Sequence, residues 1–297
     1  MEPKIELEWL IHYKCNYRCP YCFFEGMWEE VERRNDYRPA KEWVAGWKRI
    51  LARYGYTRIL ITGGEPFIYP DFIGLLKEIS PDFSIGFDTN LSCSKGLLED
   101  FVKNTQAKNI SLGLSFHPRF AEFDAFLEKA LFLQDNGFKV CVQYVSYPEA
   151  LEAMQDYRAK FMEKGLYFIP LPFRGVYQGL DYPASFSARE RKLIYGAAES
   201  LAQEHKDKVD KLLNQVSTKQ KLCRAGQVYA RIDVDGAVYR CGRYVSSALS
   251  RTLGNFFDEN FKLLNEPALC EQEVCPCEFR WLVQDEPLCK VLKNYGK

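Results

Sequence analysis

The sequence has no apolar run approaching the roughly 18–20 residues that a membrane helix needs. The opening MEPKIELEW has acids where a signal peptide needs basic residues and an apolar stretch, so it is not expected to act as a secretory signal. Charge of one sign is not in excess, with 40 Lys and Arg against 40 Asp and Glu. Global charge therefore predicts neither a nucleic-acid nor a membrane partner. No internal repeat or low-complexity stretch is present. The 11 cysteines in 297 residues fall well below the roughly 8–10% of a disulfide scaffold. These absences exclude a spanning, fibrous or disulfide-stapled chain, and we expect a cytoplasmic protein with reduced thiols.

What is present is a chain 47% hydrophobic and 27% charged, enough for a sizeable core in one or two domains. Up to residue 172, β-rich runs alternate with amphipathic stretches. The runs are Ile5–Tyr13, Thr57–Thr62, Phe83–Thr89, Asn109–Phe116, Phe138–Ser146 and Leu166–Leu171. Helical patterns fall at 40–54, 70–79, 95–104, 120–136 and 149–163, with Gly137 and Gly165 where two of them should stop. Strands alternating with helices predict an α/β fold with a parallel sheet, curled into a partial (β/α)6 TIM-like barrel. Such barrels hold their chemistry at the C-terminal strand ends, here 14–26, 63–66, 88–93, 115–118 and 144–147. Residues 173–221 read as a connecting helical region, with helices near 187–204 and 207–221. Gln227–Val234, Asp235-Gly236 and Ala237–Arg240 read as a β-hairpin, since Asp-Gly between alternating runs is a strong hairpin signal. We place a boundary near residue 220, with 222–297 as a small hairpin-plus-helix extension.

Cysteine spacing carries the chemistry. Cys15, Cys19 and Cys22 follow the first strand. Neither a 3.6 nor a 2.0 period puts them on one face, so a loop must wrap them around a compact object. Thiolates hold iron–sulfur clusters, usually four per cluster; three leave one iron open, as catalytic metal sites keep a position open. A zinc site completed by His12 is the alternative. One strand later, Gly63-Gly64-Glu65-Pro66 allows close approach of backbone to a ligand and sets a carboxylate that can face an ammonium. The same tetrapeptide also suits an ordinary turn before the helix near 70. At later strand ends stand Asp88-Thr89-Asn90, Cys93, Ser115 and His117. His117 is a candidate proton donor and Cys93 a candidate hydrogen-atom donor, against plain structural roles for both. Cys141 falls mid-strand and reads as core. Tyr144, Phe173 and Tyr177 are candidate pocket residues.

Cys15-x3-Cys19-x2-Cys22, with aromatic Tyr21 before the third cysteine, resembles the signature of the radical S-adenosylmethionine (radical SAM) superfamily. The resemblance implies a 4Fe–4S cluster whose open iron chelates S-adenosylmethionine. It also implies reductive cleavage to a 5′-deoxyadenosyl radical, hydrogen abstraction from substrate, and a reducing partner such as flavodoxin or ferredoxin. Gly63, Gly64, Glu65 and Pro66 resemble the family's second motif, which contacts the amino group of S-adenosylmethionine. Thr89 and Asn90 match a Thr-Asn pair in relatives, and Ser115 a serine near the methionine carboxylate or ribose.

The later cysteines enclose the hairpin as Cys223-x12-Gly236-x4-Cys241, followed by a helical stretch and Cys270-x4-Cys275-x-Cys277. This resembles the SPASM and twitch extensions that carry auxiliary clusters. A full SPASM domain needs about seven cysteines, whereas six remain here, counting Cys289. The shorter twitch form is therefore expected, with one 4Fe–4S cluster on Cys223, Cys241 and two of Cys270, Cys275 and Cys277; a zinc ribbon is the alternative. The implied activity is abstraction of hydrogen from an unactivated C–H bond of a peptide or protein, as in oxidation, cross-linking or epimerisation. A second reading is oxidation or epimerisation of a small amino-sugar-like metabolite, and a third, from another class, an iron–sulfur electron carrier or scaffold. Peptide-modifying relatives often place a leader-binding domain before the barrel. Only 14 residues precede Cys15, which favours a small substrate or a peptide presented by another protein.

Overall fold

The computed structural model describes residues 2–198, 201–242 and 252–275. Strands and helices alternate through the first 172 residues: β1 (Ile5–His12), α1 (Trp28–Glu32), α2 (Ala40–Tyr54), β2 (Thr57–Gly63), α3 (Phe72–Ile79), β3 (Ser84–Thr89), α4 (Lys95–Asn104), β4 (Ile110–Ser115), α5 (Phe123–Asp135), β5 (Lys139–Ser146), α6 (Met154–Glu163) and β6 (Tyr167–Pro172). A hairpin of β7 (Gly175–Tyr177) and β8 (Leu180–Tyr182) leads into α7 (Ala188–Ala198) and α8 (Gln203–Leu213). The remainder holds β9 (Leu222–Cys223), β10 (Tyr229–Ile232), β11 (Ala237–Tyr239), β12 (Thr252–Asn255) and β13 (Ala268–Leu269). The six alternating strands fall where periodicity places them. Gly137 and Gly165 close α5 and α6 at φ +83° and +76°, where other residues would be strained.

Strands β1 to β6 run parallel in sequence order as a curled α/β sheet. The expected hairpin forms, but not as a separate unit. β10 pairs in parallel with β1, Glu6 opposite Tyr229 and Glu8 opposite Arg231, and β11 and β12 continue the same nine-stranded sheet. Residues 252–275 hold two short strands and turns where a helical stretch was expected.

Alternation along β1 assigns its two faces. Leu7, Trp9 and Ile11 enter the core shared with the helices. The stripe Trp43, Gly46, Trp47 and Ile50 of α2 is buried at helical spacing, with Trp43 4.5 Å from Trp9. The C-terminal segment closes this layer: Phe256 packs on Trp43 and Trp47, and a Cβ at Gly46 would lie 2.1 Å from its ring. Arg49 donates to the Phe256 and Phe257 carbonyls, and Arg53 to those of Glu259 and Phe261. Ile232, Val238, Phe256, Phe261 and Leu263 therefore belong to the main core. Among the described residues no helix is long and apolar enough to cross a membrane.

Candidate active site

The concave face of the sheet is polar, unlike the apolar filling of a closed barrel. Glu6 of β1 is fully buried and pairs with Arg58 of β2 at 3.3 Å. Glu8 accepts from Thr62 at 3.3 Å, from Arg231 at 3.1 Å and from the Tyr229 hydroxyl. Gln143 of β5 donates to Asp88 of β3 at 2.9 Å across Gly113 of β4, where a Cβ would come within 2.0 Å of the Asp88 carboxylate. Cys141 pairs with Gly113 in register and is part-buried; it belongs to this face rather than to the core expected for it.

The Cys15–Cys22 loop leaves the C-terminal end of β1 and is tied to the loop after β2. Gly64 N–H donates to the His12 carbonyl at 2.8 Å, Glu65 N–H to the Lys14 carbonyl at 3.0 Å, and the His12 Nε2 lies 2.9 Å from the Glu65 carbonyl. The two glycines are required by this contact. A Cβ on Gly63, at φ +129°, would lie 2.1 Å from the His12 oxygen, and one on Gly64 1.8 Å from the Lys14 oxygen.

Glu65 does not present its carboxylate to an open site. It is 2% exposed and accepts from Thr89 Oγ1 at 2.7 Å, Asn90 N at 2.8 Å and Phe67 N at 3.2 Å. Burial pushes its carboxyl up to about 7, against the three hydrogen bonds that favour the ion. Of the site residues expected at the first three strand ends, Gly63, Gly64, Glu65, Thr89 and Asn90 are thus brought into one hydrogen-bonded unit with the cysteine loop. Pro66 opens the short 3₁₀ turn after it. Asn90 completes the contact, its Nδ2 donating to Asn16 Oδ1 at 3.1 Å and lying 3.8 Å from Cys15 Sγ.

Cys15, Cys19 and Cys22 share this loop. Burial pushes all three thiols up, Cys19 to about 12 and Cys22 to about 11; neighbouring cysteines add to it at Cys19 and Cys22, and the Glu65 carboxylate at Cys15. A bound iron reverses that balance, because a coordinating thiol is deprotonated outright. Among the described residues no three Cys, His, Asp or Glu side chains converge on the geometry of a single metal ion. A cluster asks for a different arrangement, one thiolate on each iron.

Tyr21 and His117 meet beside the loop, Tyr21 Oη 2.9 Å from His117 Nδ1. Burial lowers His117 to about 4, so the ring is neutral at neutral pH and is a poor acid, contrary to the donor role considered for it. Ser115 ends β4 on the concave face, part-buried. Cys93 does not join these residues. The chain turns away at Leu91, φ +53°, and Cys93 is 8% exposed within the main apolar core. Burial raises its thiol to about 11, so the S–H stays protonated in the core. Tyr144 and Phe173 are also core residues, whereas Tyr177 lies at the rim with its hydroxyl on Glu149 at 3.0 Å.

The late cysteines gather as well. Cys223, Cys241 and Cys270 are buried around Ala225 and Tyr229. Burial pushes the Cys223 thiol up to about 11, and the charges of Cys275 and Cys270 act on it in the same sense. Cys277 and Cys289 lie outside the described residues. Tyr229 links the two regions: its ring packs among these thiols and its hydroxyl reaches Glu8 on the concave face.

Two features escaped the sequence reading. The buried acids Glu6 and Glu8 were legible in the IELEW alternation of β1, where acids recur with period two inside an otherwise apolar strand. Asp233, fully buried, accepts from Tyr13 Oη at 2.8 Å and pairs with Arg34, and no local pattern marked it.

The profile of the Radical SAM superfamily matches residues 9–170, more than half of the chain. A GTP 3′,8-cyclase of Trichodesmium erythraeum is 32% identical over 91 residues, covering 31% of this chain and 27% of the cyclase, so the chain matches about a quarter of that relative's length. Among solved structures, Streptococcus suis SuiB bound to S-adenosylmethionine aligns with a TM-score of 0.60 at 17% identity, over 88% of this chain and 65% of SuiB. The anSMEcpe structure with bound AdoMet aligns with a TM-score of 0.62 at 16% identity, over 86% of this chain and 75% of that one. At such identities these two report the fold. SuiB has also been solved with the precursor peptide SuiA, and anSMEcpe with the Cp18Cys peptide.

Proposed function

The chain belongs to the radical SAM superfamily, and on that premise we propose that it cleaves S-adenosylmethionine reductively and abstracts a hydrogen atom from an unactivated C–H bond of a peptide or protein. The observation that carries this reading is the joining of three strand ends. The Cys15–Cys22 loop, the Gly63–Pro66 backbone and the Thr89-Asn90 pair form one hydrogen-bonded unit at the C-terminal mouth of the sheet.

In this reading Cys15, Cys19 and Cys22 hold a 4Fe–4S cluster with one open iron, which supplies the electron that splits the sulfonium. The protein's own part is positional. Glu65 fixes Thr89 and Asn90, His12 fixes the Glu65 carbonyl, and the close-packed glycines bring main-chain polar groups to the ligand's amino end. Tyr21, held by His117, stands beside Cys22, and Ser115, Asp88 and Gln143 offer polar atoms deeper on the concave face. A fixed, dry arrangement of such groups is what orients a reactive intermediate toward a single hydrogen.

A second 4Fe–4S cluster is assigned to Cys223, Cys241 and two of Cys270, Cys275 and Cys277. The common burial of Cys223, Cys241 and Cys270 around Tyr229 supports it, as does the charge of Cys275 acting on the Cys223 thiol. A closed cluster near the substrate suits net two-electron oxidation, which makes the enzyme an oxidoreductase or maturase drawing electrons from a flavodoxin- or ferredoxin-like donor. Peptide as substrate is favoured by the peptide complexes of SuiB and anSMEcpe and by exposed apolar side chains at the rim. Phe23 is 70% exposed on the cysteine loop and Val176 72% exposed on β7.

The test is anaerobic reconstitution with dithionite, S-adenosylmethionine and deuterated candidate peptides and amino sugars. The expected result is 5′-deoxyadenosine carrying deuterium from a peptide. Transfer from an amino sugar alone would move the substrate to the small-molecule class. No 5′-deoxyadenosine from a cluster-replete protein would leave an electron carrier or scaffold.

A further inference from the structure

We propose that Arg240 is the positioning residue of the second thiol site: its guanidinium pins the cysteine-bearing segments together and keeps a positive charge beside the cluster. The proposal rests on the reading of that site as a 4Fe–4S centre.

The segments that carry Cys223 and Cys270 run side by side as a two-stranded ribbon. β9 and β13 pair Ala268 with Cys223 and Leu269 with Leu222, and the pairing continues through Cys270 N–H to the Lys221 carbonyl, Gln220 N–H to the Cys270 carbonyl and Thr218 N–H to the Glu273 carbonyl. A two-stranded ribbon by itself is marginally stable in water. Arg240 ties this one to the hairpin that ends at Cys241. Its Nε donates to the Ala225 carbonyl at 2.7 Å, its Nη1 to Leu269 at 2.8 Å, and its Nη2 to Cys223 at 3.2 Å and also to Ala268. Four of the five guanidinium donors are therefore spent on main-chain carbonyls. Two of these flank or belong to Cys223, two immediately precede Cys270, and Cys241 is the next residue along the chain. One planar group thus touches or adjoins three of the four thiol-bearing segments.

The surroundings are shaped to admit it. Gly226, at φ +92°, has no side chain, and a Cβ there would lie 2.9 Å from Arg240 Cγ. Only an arginine can serve this role, because lysine offers a point charge without the fork. The charge has its own effect. Reduction adds one negative charge to a cluster, and a fixed cation nearby favours the reduced form, raising the potential.

The experiment uses the full chain with Cys15, Cys19 and Cys22 changed to alanine, so that only the second site can load. Iron and labile sulfide are counted after reconstitution, and the midpoint potential is read by EPR. Arg240→Lys keeps the charge and loses the fork; it should load less than half the parent's iron, with a midpoint close to the parent's. Arg240→Gln should load still less, with a more negative midpoint. Parent-level loading and an unmoved midpoint in Arg240→Gln would overturn the proposal. A parent that takes up no iron would overturn the second-site reading itself, and this proposal with it. If neither substitution loads any iron, melting of the cluster-free proteins decides. A melting curve matching the parent's shows a local clamp, and a lost transition shows a general brace of the fold, which overturns the assignment.

Discussion

The carboxylate of Glu65 accepts the main-chain N–H of Asn90 at 2.8 Å, so the loop after β2 holds the loop after β3 in place. Asn90 in turn points its amide at Asn16 and toward Cys15 Sγ. The glutamate of the second motif therefore acts through its neighbours.

Glu65→Ala should weaken S-adenosylmethionine binding and also destabilise the cluster-free protein. Three donors lose their acceptor, and a buried donor left unsatisfied costs about 1–3 kcal/mol. A drop of several degrees in melting temperature should accompany a roughly ten- to hundredfold loss of affinity, about 1.4–2.8 kcal/mol. Calorimetric titration and a melting curve check both. Lost affinity with an unmoved melting temperature would show that Glu65 touches the ligand directly.

The same carboxyl predicts a pH dependence in the cluster-free protein. Burial raises it from 4.5 to about 7, so across that interval the folded chain holds a proton that the unfolded chain releases. The stability it contributes is full below pH 4.5 and drains as pH rises through about 7, by on the order of 3 kcal/mol. His12 works in the opposite sense. Lowered by burial to about 4, it contributes fully above pH 6.5 and loses this as pH falls through about 4. Glu65→Gln removes only the first effect. Its stability relative to the parent should climb between pH 4.5 and 7 and level off above, as read by urea unfolding at a series of pH values. A flat difference would mean that Glu65 titrates normally.

The two thiol sets should load independently. The reconstituted protein is expected to hold about eight irons, and about four after Cys15, Cys19 and Cys22 become alanine, since each four-thiolate or three-thiolate set holds one 4Fe–4S unit. Cys223→Ala should retain uncoupled cleavage of S-adenosylmethionine and lose product formation, provided circular dichroism shows it folded. A folded Cys223→Ala variant with full turnover would reduce the second site to a structural staple.

Asp233 should prove a strong anchor for the C-terminal hairpin. It is fully buried, accepts from Tyr13 Oη at 2.8 Å and pairs with Arg34, whose side chain is 41% exposed. Partial exposure of Arg34 discounts the ion pair, so Asp233→Ala should cost about 2–4 kcal/mol, chiefly from the orphaned Tyr13 hydroxyl and the lost turn contact to Val234 N. A double-mutant cycle of Tyr13→Phe with Asp233→Ala should return a coupling of about 1 kcal/mol or more. Additive effects would show that the hydroxyl and carboxylate do not interact.

The alternating elements were legible because each rests on local periodicity: Trp43, Trp47 and Ile50 mark the inner face of α2 within eight residues. The cysteine and glycine motifs were legible because three thiols at that spacing fit no regular element. The parallel pairing of β10 with β1 was not, since Glu8 and Arg231 lie 223 residues apart and nothing near either names the other. Nor was the inward turn of Glu65, which depends on donors from the next strand end. The clamp by Arg240 follows from main-chain carbonyls, which every residue carries and which therefore leave no mark in composition.

The place of β10 beside β1 also sets an order of events as the chain is made. The neighbour on the outer side of β1 arrives only after more than two hundred further residues have been made. Until then β1 is an open edge, its row of N–H and C=O groups free to pair with another nascent chain. Contacts of such long sequence separation form slowly, and exposed edges are where incomplete chains aggregate. Glu8, placed on that very strand, sets a carboxylate beside the unfinished edge that Arg231 of the arriving strand pairs with.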